Sequence, residues 1–248
     1  MSGQQLIIGL GTGRCGTVSL SSFLNDQPST NVVHEGHVKG DKYDRVLHEG
    51  NIEEGGGSRH IFKWNGSSGE VLSYLEGLRQ HSRARRFGDV AYYFLPYAEA
   101  ILEKWPRSKF VVLKRERSAT VDSFLRKTRG RNHWMDHDGS RWKKDPDFDP
   151  TFPALDASSK RVALEKYWDL YYERVDRLLD RHPDSFTLHR VSALNTVEGR
   201  RKILSFLGYK KDEIVVSKKY KMNSEKQRRG VSLNIKMRIR QFINCVTM

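Results

Sequence analysis

Residues 6–19, Leu-Ile-Ile-Gly-Leu-Gly-Thr-Gly-Arg-Cys-Gly-Thr-Val-Ser, leave few folds open to this chain. Leu6, Ile7, Ile8 and Leu10 have the composition of a short buried strand. The glycines at 9, 11, 13 and 16 then free the backbone to turn sharply. From Thr17 to Asn25 the chain reads as a helix, with Val18, Leu20, Phe23 and Leu24 near the spacing of a buried stripe. A strand, a glycine-rich turn and a helix start together present main-chain N–H groups at the positive end of a helix dipole. That is an anion site, most often one for phosphate.

Three kinds of anion loop share this outline. A Walker A loop needs Gly-x-x-x-x-Gly-Lys-[Ser/Thr], whose lysine reaches the terminal phosphates. Gly11 and Gly16 have the spacing, but Thr17 occupies the lysine position, which argues against an ordinary kinase or ATPase. A dinucleotide fingerprint, Gly-x-Gly-x-x-Gly, is matched by Gly11, Gly13 and Gly16. It also wants an acidic residue about 20 positions on, and Glu35 follows the strand-like Asn31-Val32-Val33-His34. The third possibility turns on Arg14, a cation inside the loop where a transferring anionic group would sit.

A second segment carries similar chemistry. Lys109 to Leu113 reads as a buried strand, introduced by Trp105-Pro106 and ending in Lys114-Arg115-Glu116-Arg117, with a helix from about Ser118 to Lys127. Arg115 and Ser123 stand eight positions apart, the first after the strand and the second on the helix. Singly, such an arginine is usually a solvated charge and such a serine usually inert.

With both segments in view, the sequence resembles the sulfotransferases that use 3′-phosphoadenylyl sulfate. Their strand is followed by [Arg/Lys]-Ser-Gly-Thr-[Thr/Ser], and Arg14-Cys15-Gly16-Thr17-Val18-Ser19 stands in that place, with Cys15 for the serine and Val18 for the second hydroxyl residue. Ser19 offers a hydroxyl one position later. The resemblance implies that Gly13 through Ser19 cradle the 5′-phosphosulfate, and that Arg115 and Ser123 bind the 3′-phosphate. It extends to Gly88-Asp89-Val90-Ala91-Tyr92 with Leu95-Pro96-Tyr97, to Tyr167-Trp168 with Tyr171-Tyr172, and to Phe206-Leu207-Gly208. Arg228-Arg229-Gly230 resembles the family loop that closes over the 3′-phosphate.

The implied reaction passes a sulfuryl group to a hydroxyl or amine acceptor and releases adenosine 3′,5′-bisphosphate. Such a transfer asks for a base and for fixed positive groups; no metal is expected, because the transferred group is less charged than a phosphoryl. Arg14 is the expected stabiliser of charge on the bridging oxygen. Glu35 is the expected base, by its place after a Pro-initiated strand as in the carboxylate-using branches, with His34 second and His37 third. Asp89 is a candidate for orienting the acceptor, though equally a turn residue. Trp134, with Trp142, is a candidate acceptor-facing lid by position alone. The acceptor class stays open among glycan, lipid, small metabolite and tyrosine. A dinucleotide-dependent oxidoreductase and a non-catalytic basic anion-binding module stand as alternatives.

Charge agrees with an anionic ligand. Lys and Arg total 44 against 30 Asp and Glu, a net of +14 over 248 residues. Much of the excess is diffuse, as in the run 79–86, and aromatics do not interleave with a basic stripe, so nucleic acid is not the expected partner. Cys15 and Cys245 are the only cysteines, which gives no zinc set and no expected disulfide; Cys15 reads as a small filler rather than a reactive thiol. No basic-then-apolar leader and no membrane-length apolar run occur, so a cytoplasmic setting is expected.

Strands and helices alternate: strands at 6–10, 31–34, 61–64, 90–94, 109–114 and 186–188, and helices at 17–25, 71–81, 96–105, 118–127, 158–181 and 197–207. The helix at 71–81 would bury Val71, Leu72, Leu75 and Leu78. Segments 36–60 and 132–153 read as long loops. The expectation is one α/β domain over 1–248: a parallel sheet flanked by helices, P-loop-like, with ligands at the carboxyl ends of its strands.

Overall fold

The computed structural model describes residues 3–36, 62–127 and 151–216. They form five parallel strands, β1 (Gln5–Leu10), β2 (Thr30–His34), β3 (Arg86–Val90), β4 (Lys109–Lys114) and β5 (Phe186–Arg190), in the order β2-β3-β1-β4-β5. Six α-helices accompany them: α1 (Thr17–Asn25), α2 (Ser68–His81), α3 (Ala98–Lys104), α4 (Arg117–Lys127), α5 (Lys160–Arg181) and α6 (Val197–Phe206). A parallel strand cannot be reached by a tight turn, so each connection must cross a face of the sheet. Both faces are therefore covered, as the near-continuous apolar runs of β1 and β4 require.

Alternation along the strands divides the core. Leu6, Ile8, Leu10, Phe110 and Val112 point to the face covered by α2, α3 and α5. Ile7, Val111 and Leu113 point to the other, against Leu20, Phe23 and Leu24 of α1 and Ile203 and Leu204 of α6. Phe110 and Phe186 stack across β4 and β5 with ring centroids 4.3 Å apart. Such a pair adds about 0.5–1.5 kcal/mol beyond the area it buries. No helix among the described residues is long and apolar enough to cross a membrane.

Strand order bears on function at once. In a dinucleotide-binding fold the strand that carries the acidic residue lies beside β1. Here β3 lies there, and β2, which leads into Glu35, is one strand further out.

Three expectations need correction. The strand expected at 90–94 lies at Arg86–Val90, and residues Tyr92–Tyr97 form a 3-10 turn instead. Arg86, Gly88 and Asp89 look unsuited to a buried strand, yet each has a specific neighbour. Arg86 donates to Gln5 Oε1 and to the Gly208 carbonyl, and its guanidinium lies 3.7 Å from the centre of the Tyr209 ring. A Cβ on Gly88 would stand 1.7 Å from the Ile7 carbonyl oxygen, so only glycine allows β1 and β3 to pair there. The strand expected at 61–64 is absent over 62–64: Phe62 stacks on Tyr93, and the Lys63 carbonyl accepts from the Tyr97 hydroxyl in a turn. In α2 the buried stripe is Val71, Tyr74, Leu75 and Leu78, and Leu72 is only partly buried, because the Tyr74 ring packs inward with its hydroxyl satisfied.

Candidate functional site

The carboxyl ends of β1, β2, β3 and β4 share one rim, since Gly9 and His34 both pair in register with Val90, and Leu10 with Val112. The loop between β1 and α1 occupies its centre. Gly11, Gly13 and Gly16 take positive φ values of 148°, 82° and 92°, and Arg14 takes 57°, a left-handed conformation uncommon for a side-chain-bearing residue. A Cβ on Gly11 would fall 2.3 Å from Cys15 Sγ and 2.7 Å from the Leu113 carbonyl oxygen, so the loop closes tightly on itself and on β4. α1 begins at Gly16 with no side-chain cap and no acidic residue in its first turn. By contrast Ser67, Ser159 and Thr196 cap α2, α5 and α6 with their own oxygens. An N-terminus left without a side-chain oxygen or a carboxylate is one that favours an external anion.

On the β4 side the cations of the two segments meet. Arg14 Nε donates to Ser123 Oγ at 3.2 Å, and Arg115 Nη1 donates to the Arg14 carbonyl at 3.0 Å. Ser123 is buried on α4, while Arg14 and Arg115 are half-buried. Guanidinium groups from two segments and a buried hydroxyl bring several charge-assisted donors to this side of the loop. The residues expected to bind the 5′- and 3′-phosphates thus share one hydrogen-bonded cluster.

On the β2 side the chemistry is acidic. Glu35 directly follows β2 with φ 51°, again left-handed, and Gly36 follows with φ 77°. The Gly36 N–H donates to Asp89 Oδ2 at 3.1 Å, and the Tyr74 hydroxyl donates to the same oxygen at 2.8 Å. Asp89 is fully buried; burial, with the Glu35 charge adding to it, raises its pKa to about 7. It therefore faces the turn that carries Glu35 rather than open solvent. His34 Nε2 lies 3.0 Å from Thr17 Oγ1, which ties the end of β2 to the first residue of α1.

The remaining loop residues divide simply. Cys15 is fully buried among Ile7, Leu20 and Leu113, and burial pushes its thiol up to about 11. Its place is that of a filler under the loop. Thr17 and Ser19 are buried, and Val18 is half-buried. His37, Trp134, Trp142, Arg228, Arg229 and Gly230 lie outside the described residues, as do most of the two expected loops.

Sequence reasoning overlooked Tyr74, which sits inside an apolar helical stripe and so reads as core. It also left Tyr167, Trp168, Tyr171 and Tyr172 as a resemblance without a task. In the structure they stand directly behind the site. Tyr167 donates to the Thr12 carbonyl, Tyr171 accepts from the Gly11 N–H, Tyr172 donates to the Leu113 carbonyl, and Trp168 donates to the Arg115 carbonyl. The signal available was the polar tip on each large ring, since buried tyrosine and tryptophan usually find a partner.

No family model and no curated protein matches the chain. Among solved structures, the chain is similar to the crystal structure of a sulfotransferase from Alicyclobacillus acidocaldarius, at 15% identity and a TM-score of 0.49, over 91% of this chain and 86% of that one.

Proposed function

We propose that the protein transfers a sulfuryl group from 3′-phosphoadenylyl sulfate to a hydroxyl or amine acceptor. The observation that carries this reading is the cluster of Arg14, Ser123 and Arg115 beside the uncapped start of α1. A helix N-terminus alone suits any phosphate. A second guanidinium and a buried hydroxyl from a different strand and helix suit a ligand with two separate anionic ends. The residues present fit such a donor: the N–H groups of Gly16 to Ser19 and the Arg14 side chain would hold the 5′-phosphosulfate, and Arg115 with Ser123 the 3′-phosphate.

The donor supplies a sulfur whose bond to the bridging phosphate oxygen breaks as its bond to the acceptor oxygen or nitrogen forms. Glu35 takes the acceptor's proton, with His34 as the second candidate. Arg14 offsets the charge that develops on the bridging oxygen, and the bisphosphate leaves. Asp89 and Tyr74 hold the Glu35–Gly36 turn through the Gly36 N–H.

Thermal unfolding with adenosine 3′,5′-bisphosphate, ATP and NAD, followed by transfer of labelled sulfate from donor to acceptor pools, tests the proposal. A ligand that binds only the folded form at 100 times its Kd stabilises it by about 2.7 kcal/mol. The bisphosphate should raise Tm most, and label should leave the donor. A shift with NAD and none with the bisphosphate would overturn it.

A further inference from the structure

We infer that helix α5 sets the spacing between the two anion-binding halves of the site, so that the preference for a doubly phosphorylated nucleotide resides partly in residues that never touch it. The inference rests on the proposed function.

Four consecutive-turn side chains carry it, all from one face of α5. Toward the β1 loop, Tyr167 donates to the Thr12 carbonyl at 3.2 Å, and Tyr171 accepts from the Gly11 N–H at 2.9 Å. Toward β4, Tyr172 donates to the Leu113 carbonyl at 2.8 Å, and Trp168 donates to the Arg115 carbonyl at 3.1 Å. The Tyr171 hydroxyl in turn donates to the Tyr92 carbonyl at 3.2 Å, tying in the segment after β3. One helix therefore grips the main chain just before Arg14, at Gly11 and Thr12, and at Leu113 and Arg115. Each of these five bonds goes to backbone, so it fixes where each half stands without competing for the ligand.

The grip is well made. Tyr167, Tyr171 and Tyr172 are buried, burial holds all three phenols well above their usual pKa, and their rings pack edge to face. Two exposed ion pairs also join α5 to α4, which bears Ser123: Arg117 to Asp169 at 2.6 Å and Arg161 to Asp122 at 2.8 Å. Loop, strand end and serine helix are thus referred to a common bar.

Two anchors on one ligand reinforce each other only while their separation matches. Calorimetric titration of the full chain with adenosine 3′,5′-bisphosphate, adenosine 5′-phosphate and adenosine 3′-phosphate reads that match directly. In Tyr171→Phe the bisphosphate should lose about tenfold of its advantage over each monophosphate, while each monophosphate keeps its affinity within about threefold. Trp168→Phe, at a partly exposed position on the other grip, should do the same to a smaller degree, and serves if Tyr171→Phe does not fold. A parent protein that prefers the bisphosphate, with variants that keep that preference or weaken all three ligands alike, overturns the spacing role alone. A parent without the preference overturns the proposed function together with this inference.

Discussion

The two sides of β1 end in opposite chemistry. Toward β4 stand Arg14, Arg115 and Ser123, joined by hydrogen bonds of 3.2 and 3.0 Å. Toward β3 and β2 stand Glu35 and Asp89, the latter holding Gly36 and Tyr74. The basic side gathers donors from two segments of the chain, which is what binding an anion needs. The acidic side is built of one buried carboxylate that secures a left-handed turn carrying a second carboxylate. Left-handed backbone at a residue with a side chain costs on the order of 1 kcal/mol or more and persists where surrounding bonds enforce it. Both sides contain one such residue, Arg14 at φ 57° and Glu35 at φ 51°, and both are candidates for work on the ligand. Under the proposed function the difference implies a division of labour: one side would anchor the ligand and the other would accept a proton.

Changes on the acidic side should then strike turnover, and changes on the basic side affinity. Glu35→Gln is expected to lower sulfuryl transfer by about 10²–10⁴-fold, the usual share of a positioned base. Its Kd for adenosine 3′,5′-bisphosphate should stay within about twofold, since the anchoring donors are untouched. Steady-state kinetics beside calorimetry decide it; equal losses in both would erase the division. Arg115→Ala should do the reverse. Losing charge-assisted bonds of about 1.5–3 kcal/mol weakens the bisphosphate by roughly 10–100-fold. Adenosine 5′-phosphate should weaken less, because Arg115 meets that half through its bond to the Arg14 carbonyl.

The two sides were not equally legible in the sequence. The basic side announces itself: glycines at turning points, an arginine among them, and a strand ending in charges with a serine on the next helix. The acidic side does not, because its support comes from β3, whose Arg86, Gly88 and Asp89 contradict a buried strand on composition. Tertiary partners outweighed propensity there, and local pattern cannot register them. The aromatic run Tyr92 to Leu95 supplied a better strand signal in the wrong place. Tyr74 escaped for the mirror reason, a polar tip on a residue whose ring belongs to the core. Strand order was likewise hidden, and it is what separates this sheet from a dinucleotide fold.

Each side also buries a group whose titration separates it from the other. Asp89 has its pKa raised from 3.8 to about 7, chiefly by burial. Between those values the folded form holds the proton more tightly than the unfolded chain. Stability therefore falls as pH rises from about 4 to about 7, by at most about 1.4 kcal/mol per pH unit for one proton, then levels off. Asp89→Asn keeps an acceptor for the Tyr74 or Gly36 donor and cannot ionise. Denaturant curves from pH 4 to 8 should show parent stability declining relative to the variant through that window. Parallel curves would mean that Asp89 titrates as it does in water.

On the basic side Cys15 is buried, and its effect should be the smallest. Burial raises the thiol to about 11, partly offset by a bond with Gly13 and by the Arg115 charge. At pH 8 roughly one molecule in a thousand would carry the thiolate, which is the nucleophilic form. Iodoacetamide should therefore leave Cys15 unmodified in the folded protein and label it on unfolding, as peptide mapping can follow. The donors proposed to hold the anion near it are main-chain N–H groups, whose presence does not depend on the side chain. Cys15→Ser should thus shift bisphosphate affinity less than about twofold and stability by on the order of 1 kcal/mol. A loss of turnover as large as that of Glu35→Gln would place a reacting group on the basic side, and anchoring and proton transfer could no longer be assigned to separate flanks of β1.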